Sequence, residues 1–162
     1  MAFDIENHIY VDEYPDKDII CIGIYWKDKK YILYVNKDVQ VDKEGYFGFP
    51  RERDMISAFF DFIRQEDPDI IETYNGEEYD WPKIMEKAKA FNINPYIGRD
   101  GTKAYIRQSK TKDGEMRHNM MIPGRMSFDI WKSVRKYMSL SDETLGSVGR
   151  CLGLGGKMDV DA

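Results

Sequence analysis

The chain of 162 residues is 42% hydrophobic and 33% charged, which is typical of one globular domain and excludes a disordered tail or a fibre. No apolar stretch approaches about 18 residues, and Met1 opens no basic leader, so neither a membrane span nor a signal peptide is predicted. Cys21 and Cys151 lack zinc-site spacing and are expected to be buried free thiols of a cytoplasmic protein.

The net charge of −5 conceals an asymmetry between the two halves of the chain. Residues 1–80 contain 9 Lys and Arg against 20 Asp and Glu, whereas residues 81–162 contain 15 against 9. An acidic cluster beside a basic half suits a cation site next to a phosphate-binding groove. Acidic surfaces are also common in soluble proteins, so the asymmetry alone does not establish a nucleic-acid partner.

The first predicted elements are three strands. Apolar residues alternate with acids at the start, which predicts a short strand with two carboxylates on one face: Phe3, Asp4, Ile5 and Glu6. Two runs rich in β-branched and aromatic residues follow, at 19–26 and 31–35. The polar residues between these runs predict an antiparallel hairpin.

A helix and a further strand are predicted next. Apolar residues recur at helical spacing from Met55 to Ile63, and Pro68 is expected to end this helix. Residues 69–74 then have the composition of a strand. Because this strand is reached through a helix, it should lie parallel to an earlier one.

The next turn and helix carry the third acid of interest. Asn75-Gly76 predicts a tight turn after the strand, and Asp80 followed by Pro82 predicts an N-cap and first turn of a helix that runs to about Phe91. A protruding hairpin is predicted within residues 95–124, and two closing helices after it, the first including Phe128. The fold class predicted is α/β, a mixed β-sheet flanked by helices.

Three carboxylates are candidates for one metal site. Asp4 and Glu6 share a strand face, and Asp80 follows a strand that can neighbour theirs, so all three can converge at strand ends. Two divalent cations held there could promote phosphodiester hydrolysis. Alternating acids are also the ordinary solvent face of a strand. Tyr79 and Asn75 could contact a substrate, or could be a core anchor and a plain turn residue.

Several blocks of the chain resemble the exonuclease domain of family B DNA polymerases, the archaeal members most closely. The blocks occur in the family's order and cover almost the whole chain: Phe3-Asp4-Ile5-Glu6, residues 73–82, residues 97–101, residues 124–129 with Val134-Arg135, and residues 140–157. The resemblance implies a ribonuclease-H-like fold whose site binds two Mg²⁺ or Mn²⁺ ions. It also implies removal of nucleotides from a single-stranded DNA 3′ end.

The resemblance also assigns roles to residues. Asp4, Glu6 and Asp80 would be the catalytic residues and metal ligands, with Glu6 helping to orient the attacking water. The residues implied on the substrate side are Asn75, Tyr79, Phe3, Arg99 and Arg125, although Phe3 is also expected in the core. Arg99 and Arg125 could equally form structural pairs with carboxylates.

The chain departs from the family pattern at its third motif, a Tyr-x-x-x-Asp that should lie beyond Asp159 and Asp161. The Tyr14–Asp18 match contains a proline and falls in the wrong order, and His118 does not fit the histidine variant of the class. The chain is therefore expected to be a single partial exonuclease domain over residues 1–162, without palm, fingers or thumb and with weak or no activity alone. Asp159 or Asp161 could supply a substitute carboxylate.

Two function classes remain open at this point. One is an exonuclease domain that works with the remainder of a polymerase chain, and the other is a non-catalytic nucleic-acid-binding or protein-interaction module on the same fold. Basic residues of the predicted hairpin could form a DNA-facing rim or a solvated surface: Lys103, Arg107, Lys110, Lys112 and Arg117. A sheet face left uncovered could support a homodimer.

Overall fold

A computed structural model describes residues 1–7, 18–36, 41 and 43–154. In chain order the elements are β1 (Ala2–Asn7), β2 (Ile19–Trp26), β3 (Lys29–Val35), β4 (Tyr46–Phe49), α1 (Glu52–Glu66), β5 (Ile70–Thr73), α2 (Asp80–Ala90), β6 (Tyr105–Lys110), β7 (Met116–Met121), β8 (Met126–Asp129), α3 (Ile130–Tyr137) and α4 (Leu145–Cys151).

Six strands form one mixed sheet in the order β4-β3-β2-β1-β5-β8. The strand β1 is antiparallel to β2 and parallel to β5, as the helical connection predicts. The strand β8 extends the sheet parallel to β5, and β6 and β7 form the separate predicted hairpin. The predicted α/β class with a mixed sheet is therefore confirmed, and it suits a ribonuclease-H-like fold.

The core lies between one face of the sheet and the helices α1 and α2. The Phe3 ring lies 4.9 Å from that of Phe59 and 4.8 Å from that of Trp81, centroid to centroid. The predicted apolar stripe of α1 is buried in full: Met55, Ile56, Phe59, Phe60 and Ile63. Because β1 alternates, its core residues leave Asp4 and Glu6 on the opposite, exposed face.

Two edge strands were not predicted. β4 lies in a stretch that reads as polar loop, and β8 contains Phe128, which the apolar spacing assigned to a helix. Both strands have only four residues, so too few alternations distinguish a strand from a helix start. β4 pairs with β3 and β8 pairs with β5, and the local sequence pattern of each short strand does not indicate this pairing.

Smaller corrections concern caps, hairpin limits and thiols. Tyr79 is the N-cap of α2, with Asp80 as its first residue, and the two hairpin strands occupy 105–110 and 116–121 of the predicted 95–124. Cys151 is exposed and Cys21 half-buried, so the prediction of buried thiols is wrong.

Part of the exposed sheet face at β5 and β8 is apolar. Ile70 and Met126 are cross-strand partners, as are Glu72 and Phe128, and all three apolar side chains are exposed. None of the helices in the described ranges is both long and apolar enough to cross a bilayer. Tyr14, Asp159 and Asp161 lie outside the described residues.

Candidate active site

The site is centred on β1 and the first residue of α2. The Asp80 side chain is only 3% exposed, and its Oδ1 accepts a hydrogen bond of 3.0 Å from the backbone N–H of Ile5. Ile5 lies between Asp4 and Glu6, so this bond fixes the helix start against the strand that carries both acids. The sequence predicted that Asp80 lies close to β1, although it predicted Asp80 to be the N-cap of α2 and not its first residue.

The electrostatics of Asp80 favour a cation. The pKa of the Asp80 carboxyl is raised to about 7, mainly by burial and in addition by the nearby Asp4 carboxylate, through repulsion and a shared hydrogen bond. The Ile5 N–H acts in the opposite direction, because it stabilises the ionised form. Burial and the charges of Glu6 and Asp4 also raise the pKa of the Cys21 thiol. Negative charge therefore accumulates on this part of the sheet.

The donor set can be compared with the needs of a metal ion. Asp4 and Asp80 supply the carboxylate oxygens that Mg²⁺ and Mn²⁺ prefer, and their mutual repulsion is the condition that a bound cation relieves. Glu6 is exposed on the same strand face as Asp4. Within the described ranges, no three His, Cys, Asp or Glu side chains converge closely enough to hold an ion. The pair fits a hard cation as part of a ligand set.

The loop between β5 and α2, residues 75–79, is tightly held. Asn75 adopts left-handed backbone, with φ of 62°, and its carbonyl accepts the N–H groups of Glu78 and Tyr79. A side chain at Gly76 would place Cβ 2.4 Å from Cβ of Thr73. The predicted Asn-Gly turn is confirmed, and Gly76 is required here by close packing.

Tyr79 lies at the exposed edge of this loop. Its side chain is 47% exposed, and its hydroxyl accepts a hydrogen bond of 2.7 Å from Nδ2 of Asn7 at the end of β1. The ring is therefore held beside the strand that carries Asp4 and Glu6, with its surface accessible. Asn75 is half-buried in the same loop. Phe3, by contrast, lies within the core.

The structure places Arg99 and Arg125 away from the carboxylates. Arg125 contacts Asp67 and the Pro68 carbonyl, which precede β5, whereas Asp80 follows that strand. Arg99 contacts Asp67 and also Asp69. The sequence left two alternatives for these arginines, contact with the substrate or structural pairing with carboxylates. Both arginines form the structural pairs.

Sequence reasoning missed a second group of buried polar residues. Asp129 caps α3 through the Trp131 N–H and also accepts hydrogen bonds from the N–H groups of Asn75 and Glu77. Glu77 in turn forms an ion pair with Lys132 and accepts the Met120 N–H. Asp129 before an apolar helical pattern is a sequence signal for an N-cap, but its hydrogen bonds to Asn75 and Glu77 could not be predicted from the sequence.

The hairpin is attached to the same loop. The Glu78 carboxylate accepts the His118 N–H at 3.0 Å and lies 2.7 Å from His118 Nδ1. His118 is therefore half-buried and paired with Glu78. The five basic residues of the predicted rim are all exposed.

Comparison with known proteins identifies the relatives of the chain. A family model described as "DNA polymerase family B, exonuclease domain" matches residues 1–148. The chain is 32% identical to a DNA polymerase of Pyrococcus glycovorans over 149 residues, 91% of the chain and 18% of that protein. It is 31% identical to a DNA polymerase of Thermococcus aggregans and 29% to one of Methanocaldococcus jannaschii, spanning 91% of the chain and 8% and 9% of those proteins.

Proposed function

The chain belongs to the exonuclease-domain family of family B DNA polymerases, and from this premise we propose that it hydrolyses phosphodiester bonds at a single-stranded DNA 3′ end. Asp4, Glu6 and Asp80 are the proposed metal ligands and catalytic residues, and Mg²⁺ or Mn²⁺ the cofactor. The proposed role within a longer polymerase is proofreading. Since the chain spans less than a fifth of these relatives, 18% at most, the remainder of a polymerase is its second proposed partner.

One observation carries the proposal: the bond from Ile5 to Asp80, which joins the strand of Asp4 and Glu6 to the start of α2. Two carboxylates at this junction form a patch of negative charge that a divalent cation neutralises. Cations bound there would polarise the scissile phosphate and lower the pKa of a water. No other described feature brings two of the predicted acids together.

The chain's own residues supply the remaining functions. Glu6 is exposed beside the pair and is proposed to orient the attacking water through a hydrogen bond from it. The exposed Tyr79 ring offers a stacking surface for the terminal base, and Asn75 lies in the same loop. Activity is proposed to be weak, because the three proposed carboxylates do not converge closely within the described residues, and an oxygen-ligated cation needs several ligands in good geometry.

The test is degradation of a 5′-labelled single-stranded DNA oligonucleotide with Mn²⁺. We expect a ladder that shortens from the 3′ end and disappears in Asp4→Ala. The matched control is Glu44→Ala, which removes an exposed acid preceding the edge strand β4. A folded chain that binds DNA but gives no ladder would support the non-catalytic module instead.

A further inference from the structure

We propose that Asp129 and Glu77 are positioning residues of this site, which set the placement of Asn75 and Tyr79 at a DNA 3′ end without ligating the metal. This inference rests on the proposed function. Neither residue occurs among the acids that the sequence pattern selected. Both are nonetheless buried carboxylates, Asp129 being 4% exposed and Glu77 6%.

Asp129 holds the loop by its backbone. Its Oδ1 accepts the Asn75 N–H at 2.8 Å and its Oδ2 accepts the Glu77 N–H at 3.1 Å. The same Oδ1 accepts the Trp131 N–H at 3.1 Å, which caps α3. One carboxylate thus joins the first turn of α3 to the loop, and it spans 54 residues of sequence to Asn75.

Glu77 holds the loop by its side chain. Its carboxylate pairs with Lys132, and its Oε1 accepts the Met120 N–H of the hairpin at 3.2 Å. Lys132 also donates to the His118 carbonyl at 2.8 Å. The loop is therefore fixed to both α3 and β7, elements that contribute none of the proposed metal ligands.

The contacts of Asp129 and Glu77 act on the loop that carries the proposed substrate-contacting residues, and not on the metal ligands. Asp80 is fixed separately, because the N–H of Ile5 in β1 donates to its carboxylate. Loss of an Asp129 contact should therefore displace the loop of residues 75–79 more than it displaces the metal ligands. Asn75 and Tyr79 occupy the two ends of that loop. The network also borders an open groove of about 360 Å³, so the loop lies at an accessible surface.

The test uses Asp129→Asn, because asparagine is a good N-cap and preserves the α3 start. Its amide group would face the Glu77 N–H with a second donor. Binding is measured with an oligonucleotide carrying 2-aminopurine at its 3′ end, in Ca²⁺, and Mn²⁺ binding by calorimetry. We expect the DNA Kd to rise about tenfold, as for one lost hydrogen bond, and the Mn²⁺ Kd to stay within about twofold.

Thr144→Ala is the matched control, because Thr144 caps α4 without touching the loop. It should lower the melting temperature and leave the DNA Kd unchanged. If Asp129→Asn does not fold, the double variant Glu77→Gln with Lys132→Met removes both charges of the partly buried ion pair and should raise the DNA Kd likewise.

An unchanged DNA Kd in folded Asp129→Asn overturns the inference, as does a parallel loss of DNA and Mn²⁺ binding. A wild-type chain that binds no 3′ end overturns the proposed function, and the inference with it. Amide exchange of Asn75 and Glu77 separates these cases. Faster exchange in Asp129→Asn shows that Asp129 holds the loop whether or not DNA binds.

Discussion

The Asp80 carboxylate accepts a hydrogen bond from the backbone N–H of Ile5, a residue 75 positions earlier in the chain. Because Ile5 separates Asp4 from Glu6, this contact brings the acids of β1 and α2 into one electrostatic unit. The behaviour of that unit towards metal and protons can be measured directly.

Removal of both paired carboxylates should weaken metal binding strongly. In Asp4→Ala with Asp80→Ala, we expect Mn²⁺ affinity to fall at least about tenfold, because oxygen-ligated ions depend on charge count. Calorimetric titration measures this, with Glu44→Ala as the exposed-acid control. Unchanged affinity in the double variant would exclude this pair as the metal site.

Asp80 should make the metal-free chain less stable as the pH rises. Its pKa is about 7 in the folded state and near 3.8 when unfolded, so the folded state binds the extra proton between these values. The stabilising contribution is complete below about pH 4 and is lost as the pH rises through about 7. Asp80→Asn cannot ionise and keeps an oxygen acceptor for Ile5.

Urea unfolding in EDTA at pH 5 and pH 8 tests this dependence. At pH 8 we expect Asp80→Asn to exceed the wild type in unfolding free energy by up to about 4 kcal/mol. The difference should be smaller at pH 5. An equal difference at both pH values would show that Asp80 does not titrate in this range.

The Tyr79 ring should contribute more to DNA binding than its hydroxyl. Tyr79→Ala removes the exposed stacking surface, and we expect the Kd for a single-stranded 3′ end to rise about tenfold. Tyr79→Phe removes only the Asn7 contact and should raise it about two- to threefold. Fluorescence anisotropy in Ca²⁺ measures both, and Tyr137→Ala provides an exposed-tyrosine control. Equal effects of the Ala and Phe variants would contradict stacking.

Arg125 should stabilise the fold without contributing to DNA binding. Its side chain is 3% exposed and bonded to Asp67 and to the carbonyls of Pro68 and Ile97. Arg125→Met should therefore lower the free energy of unfolding by about 2–3 kcal/mol and leave the DNA Kd of the folded protein unchanged. Denaturant unfolding and anisotropy measure the two quantities. A higher Kd without a stability loss would favour the phosphate-contact alternative.

Much of the fold was predictable because its main elements have strong local patterns. The β1 alternation and the α1 stripe each bury one face, and both patterns persist over several residues. β4 and β8 were missed because four residues give too short a pattern and their pairing is non-local.

The candidate site was predictable to a similar limit. The placement of Asp4 follows from the alternation of β1, and that of Asp80 from its position after a strand. Both are patterns of the local sequence. The partners of Asp129 and Glu77 depend on how the hairpin and α3 return to the loop, which no local spacing records. The arginine partners are likewise tertiary contacts, so the sequence left two alternatives for them.

The position of β1 in the sheet bears on the order in which the chain assembles. Its neighbour β2 is close in sequence, whereas β5 is separated from it by β2, β3, β4 and α1, so we expect β5 to pair with it later, at a greater entropic cost of closure. On this expectation, the Asp4–Asp80 pair is completed only after that late step. A bound cation should therefore slow unfolding more than it accelerates folding.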